Sequence, residues 1–505
     1  MIAASRRAPV PAGTATTAAL AMWALVAVVV ANAASHLRTV CWSLIASDNW
    51  NHVHPLLRDT FEGRLDLGNF LVQRAGVDHA QPLNKLVMWA NARWFGLDFM
   101  LEGFLGLAFG VAMLLVLYRM VAAETASRRP TVVRLGFAAV AAVFFSLNSS
   151  FIYTYSMVTM WFALYFLAFV VLLAAWRALS GGRVWPVAVA TFLLGVVADD
   201  SAALDTAAVA IAVGLFAWRR RAAGAGPAPR AWPVIAALAA GLLASRGLYW
   251  AFGETTGTTQ AVFNQPLSAR LAGLASQWRD AWEAWAIPSV YGLLGKQSLP
   301  GLAGGHAPVL RDVLAVAMLG AHAWFWWSAT RLRASAAWLA ATTLMLMFYA
   351  HVAAILLARV FARGTGYLEQ ERYVSFYQFG VVALLLMAMT WVLQRPESRA
   401  ARRGLATLAL ALLLLQVPVT RLALEREPGI ARHNLQMAMD MAALGRDPLH
   451  PPNPCTGALD LCVLPPERRV ELVRLLRDHR LSLFSPQYAR RHPEHRAAVE
   501  RATGR

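Results

Sequence analysis

Charge is scarce in this chain. Of its 505 residues, 15% are Asp, Glu, Lys or Arg, against roughly 25% in a soluble domain. That shortage excludes an ordinary soluble fold. A hydrophobic content of 58%, a mean hydropathy of +0.48 and repeated apolar runs of about 20 residues mark an integral membrane protein. Cysteine is scarce too: three residues exclude a disulfide-built scaffold and a thiolate metal cluster. Lysine is nearly absent, so Arg carries the positive charge, and 28 acids face 46 bases for a net charge of +18. This excess does not mark a nucleic-acid binder. The Arg residues fall in short clusters between apolar runs, which is the positive-inside pattern of a polytopic protein. Internal repeats and long low-complexity tracts are lacking, apart from RRRAAGAGPAPR at 219–230, which reads as a flexible connector.

What is present is an alternation. Apolar segments run at about 17–35, 101–121, 135–152, 158–176, 185–198, 201–218, 231–250, 312–330, 337–358, 374–393 and 404–421. Arg128, Arg129 and Arg134, then Arg177 and Arg183, Arg219–Arg221, Arg331 and Arg333, and RPESRAARR follow every second span. One orientation satisfies all five clusters. The basic MIAASRRAPVPAGT lies inside and is followed by a retained first helix rather than a cleaved signal peptide. The expected architecture is therefore an all-α polytopic membrane protein with about 11 transmembrane helices. A transmembrane domain over 1–424 carries a large first outer loop (37–98) and a further outer loop (251–311), and 425–505 forms a small C-terminal extracytoplasmic tail. The expected location is a bacterial cytoplasmic (inner) membrane, N-terminus cytoplasmic and C-terminus periplasmic. In that compartment a local disulfide between Cys455 and Cys462 is expected. PPERRVELVRLLRDHRLSLF reads as an amphipathic helix on the outer face. The fifth span is short and stops at Asp199–Asp200.

The dense polar groups all fall on the outer side. Asp48 follows the first helix, where a carboxylate can serve as general base or metal ligand, or cap a loop helix. Asp78 and His79 precede a helix expected to start at Pro82, at whose positive end an anion is stabilised; Lys85 follows. Arg359, Arg363 and Arg372 run against the positive-inside trend, and Arg binds phosphate bidentately. Pairing with Glu369 and Glu371 is the competing explanation. Asp199 and Asp200 offer further acids, or simply form a polar turn. Asp205, at membrane depth, is expected to pair with an Arg such as Arg246. Trp278, Trp282, Trp285 and Tyr291, with Asp280 and Glu283, lie at helical spacing and fit interfacial anchoring better than sugar stacking. His52, His54, Asp59, Glu62 and Asp66 read as a solvated loop.

HAQPLNKL resembles the histidine-proline-leucine-lysine segment in the first outer loop of protein O-mannosyltransferases, and Asp48 resembles the acid those enzymes keep after the first helix. Arg372–Tyr373 is similar to the arginine-tyrosine segment in late outer loops of the wider GT-C class of membrane glycosyltransferases. The chain departs from the pattern at Asn49, where the family often has a second acid, and at Ala80–Gln81. The resemblance implies transfer of a sugar from a polyprenyl-phosphate donor to a glycan, lipid or protein acceptor on the outer face. Asp48, Asp78 and His79 would be catalytic, and Arg372, Lys85 and Arg363 would bind the donor phosphate. Asp199, Asp200 and Glu371 would be supporting acids. No definite cofactor follows; a divalent cation on Asp48 or Asp78 stays open. The expected partners are the donor lipid, the bilayer and the acceptor, with no nucleic acid. A transporter or flippase of lipid-linked saccharides, or an O-antigen-ligase-like enzyme with a dominant late loop, is the alternative.

Overall fold

In lipid a backbone must satisfy its own hydrogen bonds, and long runs of Ala, Leu and Val do so as helices. The computed structural model describes residues 12–47, 49–72, 80–123, 131–198, 201–224, 230–252, 265–456 and 459–503, except the side chains of 12–16, 51–54, 123 and 501–503. The described residues are helical, with no strand among them. An apolar helix stands on each expected span: α1 (Ala12–Val40), α2 (Phe99–Ala123), α3 (Thr131–Phe144), α4 (Trp161–Leu179), α5 (Trp185–Val197), α6 (Ser201–Ala222), α7 (Ala231–Phe252), α8 (Ala307–Arg331), α9 (Ala336–Ile355), α10 (Val374–Gln394) and α11 (Arg399–Arg446). Nine helices among the described residues are long and apolar enough to cross a membrane, and α3 and α5 are shorter. The chain is thus an all-α polytopic membrane protein.

Helices α9 and α10 pack on each other at the centre, with α3 and α8 against α10 and α6 against α9. The side chains of α9 and α10 are mostly apolar on every face, with a few buried polar groups such as Thr342, His351 and Gln378. The short α5 lies close against α7 through small residues: a Cβ on Gly241 would sit 2.3 Å from the Ala188 carbonyl oxygen. Without a hydrophobic drive between helices in lipid, such close backbone approach supplies the packing energy.

Three boundaries differ from expectation. α3 ends at Phe144 rather than near 152, because the polar run at Ser146 and Asn148–Ser150 turns the chain into two short helices, Phe151–Thr154 and Ser156–Thr159. α5 is 13 residues long. α11 continues 25 residues past Arg421, to 48 residues in all, about 72 Å at 1.5 Å per residue. The boundary expected at 424/425 therefore lies inside a continuous helix.

Residues 425–505 do not hang free as a tail. The polar half of α11 and the segments after it share one apolar core with the first loop: Leu44, Trp50, Leu57, Met88 and Phe99 pack with Met437, Met441, Leu472, Leu476 and Leu483. Ser43 Oγ and Tyr488 Oη are 2.7 Å apart, and the Ser482 amide donates to the Gly96 carbonyl at 2.7 Å. Gly96 has φ +74°, and a Cβ there would sit 2.1 Å from Ser485 Oγ, so this docking requires glycine. Cys455 and Cys462 are disulfide-bonded. The expected amphipathic helix is Pro466–Asp478 and buries Leu472, Val473 and Leu476 in that core.

Loops assigned to one side of the membrane touch one another. At the basic end, Arg230 donates to the Gly182 carbonyl at 2.6 Å, Arg219 to that of Leu332 at 2.8 Å, and the Arg333 amide to Gln394 Oε1 at 2.7 Å. The segments assigned outside meet at the opposite end, around a cavity.

Candidate functional site

The cavity is about 1030 Å³ and is lined from four places: Ser150, Phe151 and Thr154 after α3; Lys296 and Gln297 before α8; Glu369–Arg372 before α10; and Glu425–Arg432 on α11. Backbone irregularity puts polar groups there. α9 ends in a π-helical turn, Leu356–Val360, and Gly364 (φ +77°) redirects the chain. Two 3₁₀ turns, Thr365–Glu369 and Glu371–Tyr373, then lead into α10. Glu369, Glu371 and Arg372 thus stand at the start of a 21-residue helix, whose free N–H groups and dipole favour an anion.

Glu371 joins the walls. It accepts from the Phe151 amide at 3.3 Å and from Gln297 Nε2, and Ser149 Oγ donates to its carbonyl at 3.0 Å. Arg426 on α11 donates to both the side-chain oxygen and the carbonyl of Gln297, the latter at 2.7 Å. Glu369 pairs with Lys296 at 2.9 Å and accepts from Tyr291 at 3.2 Å. Burial, then the adjacent Glu369 charge, push the Tyr291 phenol up, so it remains a donor at neutral pH. Asn148 fixes this wall: its Nδ2 donates to the Tyr291 carbonyl at 2.8 Å, and its Oδ1 accepts from the Gly295 amide. A Cβ on Gly295 would sit 2.8 Å from the Asn148 carbonyl oxygen, so only glycine permits this approach. Arg372 donates to Tyr367 Oη at 2.8 Å and lies 5.2 Å from the Tyr373 ring centroid. Four cations (Lys296, Arg372, Arg426, Arg432) and three carboxylates (Glu369, Glu371, Glu425) face one space. Such a site can hold a phosphate or carboxylate and direct a neighbouring polar group.

Of the residues singled out in the sequence, Arg372 and Glu371 line this cavity. Arg363 does not; it is exposed and stacks 5.4 Å from the Tyr367 ring that Arg372 also contacts. Lys85, expected to bind donor phosphate, is buried outside the lining, and its Nζ donates to the carbonyls of Phe70 (3.3 Å) and Val72 (2.5 Å). Its helix does start at Pro82, and the ammonium ties that helix to the short one at Leu67–Leu71. Asp48, Asp78, His79, Asp199 and Asp200 lie outside the described residues. The Trp42 amide donates to the Thr154 carbonyl of the cavity wall at 2.8 Å, and Asn49 Oδ1 accepts from Tyr155 at 3.4 Å. Asp66 caps the Leu67–Leu71 helix, while Asp59 binds Arg64 and Asn69, so these acids have local work.

Asp205 pairs with His351, not Arg246. The two buried side chains are 2.9 Å apart, and His351 stacks on Phe376 at 4.2 Å; Arg246 instead donates to the Gly195 carbonyl at 2.7 Å. Sequence reasoning missed Lys296, Gln297, Arg426, Arg432 and Asn148. One signal was available for three of them: Lys296, Arg426 and Arg432 are cations on the side assigned outside, the anomaly that singled out Arg372. Trp278 is exposed and Trp282 donates to Asp312 at 3.2 Å. Among the described residues of the cavity, no three His, Cys, Asp or Glu ligand atoms lie within 4.8 Å of one another. No family model, curated protein or solved structure matches the chain.

Proposed function

We propose that this protein is a membrane glycosyltransferase that moves a sugar from a polyprenyl-phosphate donor to an envelope acceptor at the outer face of a bacterial inner membrane. The observation that carries the reading is the cavity of about 1030 Å³ in which four cations and three carboxylates converge at the start of α10. Arg372, Arg426 and Lys296 hold the donor phosphate, and Arg432 adds charge at the rim. The adjoining apolar helices offer a lipid-facing path for the prenyl chain. Glu371 is a positioning acid: it holds Gln297, which receives Arg426. Asp48 acts as base, assisted by Asp78 and His79, with Asp199 or Asp200 as a second acid. Proton transfer by such a base contributes about 10²–10⁴-fold.

The test is binding of polyprenyl phosphate to protein in nanodiscs. Replacing Arg372 and Arg426 together by Ala weakens binding at least tenfold; an unchanged Kd overturns the donor site. A second reading, the O-antigen-ligase-like one, is favoured by a single fact: most of the lining comes from segments after residue 295, and none from the first outer loop. Asp48→Asn distinguishes them. It abolishes sugar transfer while sparing donor binding in the first reading, and leaves transfer intact in the second.

A further inference from the structure

The C-terminal segment carries His492–Pro493–Glu494–His495, where one ligand atom from each of His492, Glu494 and His495 lies within 4.8 Å of the others. Both histidines are buried, 1% and 5% exposed, and Glu494 is open to solvent. His492 Nε2 lies 3.0 Å from Asp98 Oδ2, a buried carboxylate that Arg491 also contacts at 2.6 Å. A carboxylate can only accept, so Nε2 carries the proton. The other nitrogen, Nδ1, faces Glu494 Oε1 at 3.1 Å. In a neutral ring these are two acceptors pointed at each other, so either a proton or a metal ion lies between them. The ring of His495, stacked on that of His492 at 5.6 Å, brings a third ligand, and Tyr488 Oη holds its Nδ1 at 2.7 Å while also bonded to Ser43.

We propose that His492, Glu494 and His495 bind a divalent transition-metal ion of the zinc type. Two imidazoles and one carboxylate suit zinc and its neighbours and disfavour calcium and magnesium. Asp98 supplies the orienting carboxylate that metal-bound histidines commonly have behind them. Glu494, at the surface, leaves the fourth position to water. Asp98 immediately precedes α2, so an ion that fixes the His492 ring also holds the C-terminal segment, through Asp98, to the close of the first outer loop. The role is structural, since none of these residues lines the cavity around Arg372.

The experiment uses the full chain in detergent, its purification tag removed, stripped with a chelator and titrated with Zn²⁺ by calorimetry and with Co²⁺ by visible absorption. One ion binds per chain, Co²⁺ gives d–d bands, and Zn²⁺ raises the Tm. Glu494→Gln, a surface change that leaves the fold intact, weakens binding at least tenfold, and His495→Ala removes the Co²⁺ bands. Wild-type protein without stoichiometric binding, or Glu494→Gln and His495→Ala variants that bind as wild type does, overturns the site; the geometry then reflects a proton shared among His492, Asp98 and Glu494.

Discussion

Asn148 shapes the cavity without lining it. Its amide spans the Tyr291 carbonyl and the Gly295 amide, fixing the turn that presents Lys296 and Gln297. Asn148→Ala leaves a buried amide and a carbonyl unpaired, at a cost of about 1–3 kcal/mol each. A lower Tm together with weaker polyprenyl-phosphate binding is expected; loss of stability alone would separate the turn from the site. Lys85 makes the opposite case. Lys85→Met orphans the Phe70 and Val72 carbonyls and lowers the Tm, yet polyprenyl-phosphate affinity stays within about twofold; a loss as large as that of Arg372→Ala would return Lys85 to the donor site. Arg372 was legible in the sequence because a cation beside the membrane on the side assigned outside breaks a strong rule. Lys296 carries the same sign; Gln297 does not. Gln297 meets Glu371 across 74 residues and Arg426 across 129, and no local pattern records such a meeting. The Asp205–His351 pair was half visible: an acid at membrane depth announces a partner, but does not say which one.

At the scale of elements, hydropathy found the helices and misjudged where they stop. α3 ends early because Asn148 and its serine neighbours bond to other segments, which periodicity does not see. α11 runs on because its polar half packs on the first loop, and tertiary contact outweighs the solvated composition that read as tail. Beyond it, Arg469 holds the segment after α11 together. Its buried guanidinium donates to the carbonyls of Pro448, Leu449, Cys462 and Leu464. A fork of five donors can do this, and a lysine ammonium with three cannot. Arg469→Lys should therefore destabilise the protein by about 2–3 kcal/mol, read as a lower Tm with the Cys455–Cys462 bond intact. A change of under 0.5 kcal/mol, the range of an ordinary surface site, would reduce the guanidinium to surface decoration.

At the scale of the molecule, the chain separates its contacts into two ends. The Arg-rich loops bond to one another at one end. At the other, the segments after α3, before α8 and before α10 meet α11 around the cavity, while the first loop packs on the C-terminal region. The proposed topology puts the two ends of α11 on opposite faces of the bilayer, with Glu397 just before the helix at the basic end and His433 in its polar half. Both side chains are exposed. Native thiols do not interfere with a labelling experiment, since Cys41 is buried and the other two are bonded to each other. In whole cells with a permeabilised outer membrane, a membrane-impermeant maleimide should label His433→Cys and not Glu397→Cys, and lysis should make Glu397→Cys reactive. The reverse pattern would invert the protein, move the cavity to the cytoplasmic face, and remove the outer-face donor on which the proposed reaction depends. Labelling of both sites before lysis would mean that α11 does not cross the membrane between them, and the alternation of basic loops would then have misled.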